Sequence, residues 1–373
     1  MTDKVRIKYP RRVALRFFLR LVGRVLVTLL TRTTVTGREN FPKGGPLIVV
    51  GNHVAIVEVM LMVLYTPWQI EIIGTGDIPV DPRFGWIGRL WGFLPVRRGS
   101  VDREEMRAPM DVLKQNGMVG IFPEGGIWEN SLRKARTGVA WLSYHTESPV
   151  LPIGFGGMRG ALQEVLQLKR PRLTMNVGPV LPPVNVNIEG VSRKEALEQG
   201  ANAIMARVSE LIPAEEKRSW KAIEDERFDF KLVLQRPSAS TSGAVEESEV
   251  TVQEAAALGK FFHRPVILDV MARNMRLPVR PLQQIGLEHD AQRIVEALDV
   301  AIGFLDDNPQ FLSYRFGYDE AGRMRAGVDE LRALVGAAAR SGDWVTLKPI
   351  RRYRRADSDK EIVEVVPGIM HEM

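Results

Sequence analysis

Residues 46–65, PLIVVGNHVAIVEVMLMVLY, join two apolar runs through a Gly-Asn-His segment at positions 51–53. The first run, 46–50, predicts a short buried strand, and the residues after it predict a turn that leads into a helix. Further strands are predicted at 70–73, 117–122, 150–155 and 173–177, and helices at 103–115 and 136–145. Because short apolar strands alternate with helices, we predict an α/β fold, a central sheet flanked by helices.

The rest of the chain is predicted to hold one more helix of this domain, a linker and a second domain. Residues 192–212 predict a helix with Ser192 as its N-cap and Glu195 completing a capping box. The segment PSASTSGAVEESE at 237–249 predicts a flexible linker. Beyond it, helices are predicted at 283–306 and 329–340, and strands at 344–350 and 361–366. We therefore expect a basic helix in 1–34, an α/β domain in 35–236, a linker in 237–250 and a small α+β domain in 251–373, which carries no motif.

The net charge of the chain is concentrated at its amino end. The whole chain has a formal charge of +6, yet residues 1–40 hold ten Lys and Arg against two Asp and Glu. The remaining residues are close to neutral. A search for an acidic partner therefore begins with this segment.

A basic amphipathic helix is predicted near the amino end. Arg12, Arg16, Arg20 and Arg24 recur every four residues and so lie along one helix face. Large apolar side chains occupy the opposite arc, namely Leu15, Phe18, Leu21, Val22, Val25, Leu26 and Leu29. This pattern predicts a helix in the membrane interface, with the arginines on anionic lipid phosphates and the apolar side chains among acyl chains.

Other interpretations of this helix stay open. Its apolar side would pack on its own domain, with the arginines in water, if the helix were purely structural. A secretory signal is disfavoured because arginines interrupt the apolar core that a signal needs. A membrane span needs ~20 apolar residues, whereas the longest uncharged stretch, 173–188, has 16 residues and three prolines. The interleaved aliphatic side chains argue against a nucleic-acid-binding arm.

The chain contains no cysteine. A disulfide framework, a thiolate nucleophile and a cysteine-ligated zinc site are therefore excluded, and any covalent catalysis would use another group. This composition fits a reducing compartment.

His53 and Glu58 offer a base and a carboxylate that orients it, because a carboxylate can fix the imidazole tautomer. Residues five apart on a regular helix differ by about 140°, so the pair requires His53 to lie in the turn before the helix. A surface or helix-capping histidine is the alternative.

Three further segments carry candidate chemistry. GFLPVRR at 92–98 ends in Arg97 and Arg98, which offer paired donors for a phosphate. IFPEGG at 121–126 places Glu124 and Gly125 after a predicted strand, followed by Arg136 as a further anion contact. LPIG at 151–154 lies in another strand. Taken singly, each segment is also explained by a turn or by a solvated charge pair.

In this order and spacing, NHxxxxE, GxxPVxR, FPEG and LPIG resemble the four-block signature of the PlsC-like glycerolipid acyltransferases, which acylate lysophospholipids. The resemblance extends from His53 through Gly154 and implies a glycerol-3-phosphate acyltransferase-like fold with a mixed central sheet. It leaves 251–373 unassigned.

The resemblance implies roles for these residues. His53 would be the general base for a glycerol hydroxyl, oriented by Glu58 at a position where the family has Asp. Arg97 and Arg98 would bind the acceptor phosphate, Arg98 at the family's position and Arg97 beside it. Glu124 and Gly125 would belong to the acceptor site, and Pro152 to the donor site or its packing.

Three departures from the family pattern bear on the acceptor and the dyad. Glu58 is one methylene longer than Asp, and Gly126 replaces a hydroxyl residue. An arginine that usually follows is replaced by Ile127 or Trp128. Arg133 or Arg136 is a candidate for the missing charge.

The resemblance implies an O-acyltransferase that converts lysophosphatidic acid to phosphatidic acid without an acyl-enzyme. The donor would be acyl-CoA or acyl carrier protein, used as a co-substrate, with no further cofactor and no metal. The enzyme would lie peripherally on the cytoplasmic face of the membrane, bound to anionic lipid and not to nucleic acid. The alternatives are the same chemistry on another lysolipid or glycolipid, and a catalytically silent lipid-binding scaffold.

Overall fold

A computed structural model describes residues 7–75, 78–96, 106–124, 132, 135–220, 223–237, 245–263, 265–276 and 288–365. The chain separates into two compact units. The first comprises residues 1–77 and 87–220, and the second comprises residues 78–86 and 221–373.

The first unit is built on a seven-stranded sheet. Its strands are β1 (Arg32–Thr36), β2 (Leu47–Gly51), β3 (Ile70–Thr75), β4 (Leu94–Val96), β5 (Met118–Ile121), β6 (Val150–Gly156) and β7 (Arg172–Val177). They are ordered β1-β7-β6-β2-β5-β3-β4. Strands β6, β2, β5, β3 and β4 run parallel to one another, whereas β7 is antiparallel to β6 and β1 is parallel to β7. The predicted mixed central sheet is confirmed.

Helices cover both faces of this sheet. The helices of this part of the chain are α1 (Val13–Leu30), α2 (Val57–Tyr65), α3 (Pro82–Trp91), α4 (Arg107–Lys114), α5 (Gly138–Thr146), α6 (Ala161–Leu166), α7 (Arg193–Leu211) and α8 (Ala214–Trp220). Residues 82–86 of α3 belong to the second unit. The central strand β2 is buried at every residue: Leu47 and Val49 belong to the cluster that includes α2, and Ile48 and Val50 to the cluster that includes α4, α5 and α7. Burial on both faces explains why this strand is continuously apolar.

The predicted N-cap of α7 is present, since the Ser192 hydroxyl accepts a hydrogen bond from the Glu195 backbone N–H at 3.2 Å.

The amino-terminal helix α1 packs on the first unit through Leu19 and Val27 and through its arginines. Arg16 is 0% exposed, and its guanidinium binds both carboxylate oxygens of Glu71 at 2.6 and 2.8 Å and the Trp91 carbonyl. Arg20 donates to the Trp68 carbonyl at 3.0 Å, and Arg24 donates to the Leu64 carbonyl at 2.6 Å. Burial lowers the pKa of Arg20 to about 10, with Arg24 adding to the effect, so this guanidinium stays charged at neutral pH.

The apolar face of α1 is the exposed one. Phe17 is 69% exposed, and the exposed set also includes Phe18, Leu21, Val25, Leu26 and Leu29. The expectation that the arginines lie on lipid phosphates or face water is therefore wrong for Arg16 and Arg20, which are turned into the protein, whereas Arg12 and Arg24 are exposed. The outward apolar side contradicts the structural alternative, in which that side packs on the domain, and buried Glu71 with several backbone carbonyls supplies the acceptors for the inward guanidinium groups.

The second unit holds an antiparallel sheet of β8 (Ile223–Pro237), β9 (Val245–Val250), β10 (Glu288–Asp290), β11 (Trp344–Arg355) and β12 (Glu361–Val365). Its helices are α9 (Ala255–Phe262), α10 (Pro265–Asn274), α11 (Ala291–Asp307), α12 (Phe311–Phe316) and α13 (Tyr318–Ser341). These helices pack on side chains such as Phe230, Leu232, Val345 and Leu347 to form one core. The unit has the predicted α+β composition.

The division of the chain differs from the sequence prediction at two places. Residues 245–250 are strand β9, which pairs with 232–237 of β8, so this part of the predicted linker belongs to a sheet. Residues 238–244 lie outside the described residues. Because β8 also pairs with β11 along most of its length, the second unit begins near residue 221 instead of 251. Residues 78–86 also belong to it.

Candidate active site

The candidate site lies where the central strands end. His53 follows β2, and Glu124 follows β5, the parallel neighbour of β2 on one side. Strand β6, its parallel neighbour on the other side, ends at Gly156. Because parallel strands bring their carboxyl ends to one edge of the sheet, these residues share that edge, where open α/β sheets bind their ligands.

His53 and Glu58 form a hydrogen-bonded pair. The His53 Nδ1 and Glu58 Oε1 atoms are 2.7 Å apart. The helix begins at Val57, so His53 lies in the preceding turn, as the pairing requires. With Nδ1–H donating to Glu58, the imidazole lone pair is on Nε2, the nitrogen that could accept a proton from a substrate.

Glu58 holds the turn as well as the histidine. Its Oε1 accepts hydrogen bonds from the backbone N–H groups of Val54 and Ala55 at 2.6 and 2.7 Å, and the side chain is fully buried. One carboxylate oxygen therefore fixes both the local backbone and the imidazole. The additional methylene of Glu relative to Asp does not prevent the contact.

Glu124 supports His53 from the neighbouring strand. Its Oε1 accepts a hydrogen bond from the His53 backbone N–H at 2.8 Å, and its side chain is buried. Phe122, one residue after β5, stacks on the imidazole with ring centroids 4.7 Å apart. The resemblance implies an acceptor role for Glu124, and in the structure its carboxylate binds the turn that carries His53.

Asn52 ties the same turn to β6. Its side chain accepts from the Phe155 N–H at 2.8 Å and donates to the Phe155 carbonyl at 3.2 Å. A Cβ at Gly51 would lie 2.5 Å from the Phe155 ring, so glycine is required for this close approach. Similarly, a Cβ at Gly154 of the fourth block would collide with the Leu211 backbone at 2.3 Å, so this glycine permits packing of the α7 end.

None of the remaining predicted site residues is seen to contact the His53–Glu58 pair among the residues that the structure describes. The backbone N–H of Arg136 donates to the Pro123 carbonyl at 2.9 Å, but its side chain is exposed. Pro152 is buried within β6. Arg97, Arg98 and Gly125 lie outside the described residues, as do the departures at positions 126–128 and Arg133.

Sequence reasoning missed three residues of the site: Asn52, Phe122 and Phe155. Asn52 and Phe122 open the NHxxxxE and FPEG motifs but received no role, and their polar or aromatic character at a strand end was the available signal. Phe155 had no local signal, because its backbone contact with Asn52 spans 103 positions. Among the described residues, no group of three or more His, Asp or Glu side chains is arranged to hold a metal ion.

A family model described as acyltransferase matches residues 32–156, the segment that runs from β1 to the end of β6 and contains the His53–Glu58 pair. The 1-acyl-sn-glycerol-3-phosphate acyltransferase of Bacillus subtilis is 22% identical over 189 residues, covering 50% of this chain and 92% of that protein. The enzyme of the same name from Borreliella burgdorferi is 29% identical over 94 residues, covering 24% of this chain and 37% of that protein. Residues 32–156 therefore form an acyltransferase domain similar to that of the PlsC-like enzymes.

Among solved structures, the chain is similar to the 1-acyl-sn-glycerophosphate acyltransferase PlsC of Thermotoga maritima. The two are 19% identical with a TM-score of 0.40, over 56% of this chain and 85% of that one. The acyltransferase match ends before α6 and includes only residues 78–86 of the second unit. No helix in the described ranges combines the length and the apolar character needed to span a bilayer.

Proposed function

We propose that this acyltransferase transfers a fatty acyl group from an acyl thioester, acyl-CoA or acyl carrier protein, to the free hydroxyl of lysophosphatidic acid. The observation that carries the proposal is the 2.7 Å contact between His53 Nδ1 and Glu58 within the matched segment. The names of the two curated relatives support the acceptor.

In the proposed reaction, His53 Nε2 removes the proton of the acceptor hydroxyl while its oxygen attacks the thioester carbonyl carbon. The tetrahedral intermediate collapses, the carbon–sulfur bond breaks, and the imidazolium returns the proton to the leaving thiolate. The products are phosphatidic acid and a free thiol. Glu58 keeps the tautomer and stabilises the transient imidazolium. No acyl-enzyme forms, consistent with a chain that has no cysteine.

The proposed phosphate ligands are Arg97 and Arg98, which follow β4. This strand ends at Val96 and is parallel to β3, itself parallel to β5, so its carboxyl end belongs to the edge that carries His53. Gly125 and the exposed Arg136, whose backbone contacts Pro123, would complete the acceptor site.

The test is thiol release from an acyl thioester with lysophosphatidic acid as acceptor, alongside a panel of other lysolipids. Full activity with lysophosphatidic acid and a loss of about 10²–10⁴ in His53→Ala would support the proposal. Activity restricted to a different lysolipid would keep the chemistry and change the acceptor. An equal thiol release from wild type and His53→Ala would contradict the role of the histidine.

We also propose that the enzyme attaches to the cytoplasmic face of a membrane through the apolar face of α1. Phe17, Phe18, Leu21 and Leu29 are more than half exposed, and lipid acyl chains would cover them. The arginines of α1 hold the helix against the protein, so the attachment depends mainly on apolar insertion. Co-sedimentation with vesicles should then persist in salt that screens surface charge, and Phe18→Ser should weaken it.

A further inference from the structure

A second apolar protrusion lies on the segment that connects α6 to β7. Leu166 is 71% exposed and Leu168 is 74% exposed, more than any apolar side chain of α1. The family match ends at residue 156, ahead of this segment.

The backbone at Leu168 is adapted to glycine. The Lys169 N–H donates to the Glu164 carbonyl at 2.9 Å and the Leu168 N–H to the Val165 carbonyl at 3.0 Å, the two bonds of a Schellman motif. Leu168 occupies the left-handed position with φ +57°, where glycine is favoured and a side chain is strained. A leucine at this position is unfavourable for two reasons: its backbone conformation is strained, and its apolar side chain is exposed to water. The fold alone therefore gives no reason for a leucine here.

This segment is fastened to the carboxyl end of α1. The Arg170 guanidinium donates to the carbonyls of Thr28 and Thr31 at 3.1 and 3.3 Å. The Arg32 N–H also donates to the Pro171 carbonyl at 2.8 Å. The residues that follow Leu168 are therefore bound to the end of α1, where Leu29 is 63% exposed.

The charge around the leucines fits an anionic surface. Residues 166–172, LQLKRPR, contain three basic side chains and no acidic one. Lys169 and Arg172 are exposed, and Arg32 is exposed beside Arg172 in the register of β1 and β7. Arg32 and Arg172 line a hollow together with Glu215 and Glu216, which partly balance their charge, so the attraction to anionic headgroups rests mainly on exposed Lys169.

The position matches the site. Strand β7 is antiparallel to β6, so its first residue, Arg172, lies at the edge where β2, β5 and β6 end. The segment thus borders the sheet edge that carries His53.

We propose that Leu166 and Leu168 insert into an anionic lipid bilayer as a second anchor beside α1, with Lys169 and Arg172 on its headgroups. The inference rests on the proposed membrane attachment and extends it. Two anchors, one a helix and one a helix end, restrict rotation of the enzyme about α1 and turn the His53 edge of the sheet toward the lipid acceptor.

The absence of cysteine permits a direct test on the full chain. Leu168→Cys, Phe18→Cys and Ile188→Cys each introduce one thiol for an environment-sensitive fluorophore. Ile188 is an exposed apolar residue of the same unit and is the matched control. With vesicles of phosphatidylcholine and phosphatidylglycerol, we expect a blue shift and quenching by acyl-chain nitroxides at positions 168 and 18, and neither at 188.

A label at 168 that stays water-like while the label at 18 shifts would overturn the second anchor and leave the attachment through α1 intact. Water-like labels at both positions would overturn the attachment as a whole, and the second anchor with it.

Leu168→Gly separates a lipid role from a structural one. The variant should bind vesicles roughly ten- to hundredfold more weakly, from the loss of one buried leucine, while its melting temperature stays equal or rises because strain is relieved. Unchanged vesicle binding with a lower melting temperature would mean that Leu168 serves the fold. Concentration-dependent dimers that Leu168→Gly abolishes would assign the surface to a second copy of the chain. Either result overturns the proposal.

Discussion

Glu58 binds three donors through one oxygen: the His53 imidazole and the backbone N–H groups of Val54 and Ala55. Shortening this side chain to Asp withdraws the oxygen by about 1.5 Å, and every one of these contacts is 2.6–2.7 Å long. The geometry of this turn therefore suits Glu at position 58, where the family pattern has Asp.

We predict that Glu58→Asp lowers kcat for thiol release by at least about tenfold and does not improve the enzyme, because the imidazole loses its orienting contact. Glu58→Gln is the matched variant, since its carbonyl oxygen still accepts from both backbone amides. It should retain thermal stability and lose activity. An Asp variant as active as wild type would contradict the proposed fit of the turn to Glu.

Glu124 is predicted to position His53 and not to bind the acceptor. Glu124→Ala removes the acceptor of the His53 N–H, so kcat should fall while KM for the lysolipid changes little. Glu124→Gln keeps an oxygen at this place and should recover most of kcat. A large rise in KM with unchanged kcat would instead assign Glu124 to acceptor binding.

Arginines of helix α1 bind the protein on its inner side, and most of its apolar side chains are exposed on its outer side. Its periodicity predicted the helix, but the side that faces the protein depends on Glu71 and on carbonyls about 40–75 positions away. Helical spacing indicates two faces without indicating which is buried. Buried guanidinium groups are stable only with such partners, and those partners carried no sequence signal.

The Arg16–Glu71 pair is predicted to be the main polar support of α1. Arg16→Ala should lower the free energy of unfolding by about 3 kcal/mol, because a fully buried carboxylate loses a bidentate partner. Arg207→Ala is the control, since the Arg207–Glu210 pair is exposed and should contribute less than ~1 kcal/mol. Chemical denaturation of both variants measures the difference. Equal effects would mean that Arg11, which also binds Glu71, is sufficient to stabilise the buried carboxylate.

For the whole molecule, the sequence predicted the central sheet well because its strands are apolar runs buried on both faces. The motifs also predicted where the His53–Glu58 pair would lie. The second unit was harder to delimit. Strand β8 contains many charged residues that pair across the sheet, such as Arg227 with Glu361 and Lys231 with Glu249. The first part of the strand, IEDER at 223–227, lacks apolar alternation and depends on distant partners. Phe228, Phe230, Leu232 and Leu234 do recur at every second position, so a strand signal was available in the second part.

Residues 78–86 were assigned to the α/β domain by their position in the sequence, yet they fold with the second unit. Ile78 is buried in that unit's core, Asp81 forms an ion pair with Arg273 at 2.8 Å, and the Val80 carbonyl accepts from Asn274. The partners lie almost 200 positions away. Contacts this distant leave no local pattern, which is why the sequence could not assign the segment.

Ile78→Ala is therefore predicted to destabilise the second unit by about 2–4 kcal/mol, the usual cost of truncating a buried isoleucine. Hydrogen exchange measured by mass spectrometry should accelerate in α9 and α10, which share its cluster, and stay unchanged in β2 and β6. Val80→Ala is the control in the same segment, because Val80 is exposed and should change stability by no more than ~0.5 kcal/mol. Faster exchange in β2 and β6 alone would place the energetic role of this segment in the acyltransferase unit. Faster exchange in α9 and α10, with unchanged exchange in β2 and β6, would mean that residues 78–86 stabilise the second unit although they lie within the acyltransferase domain in sequence.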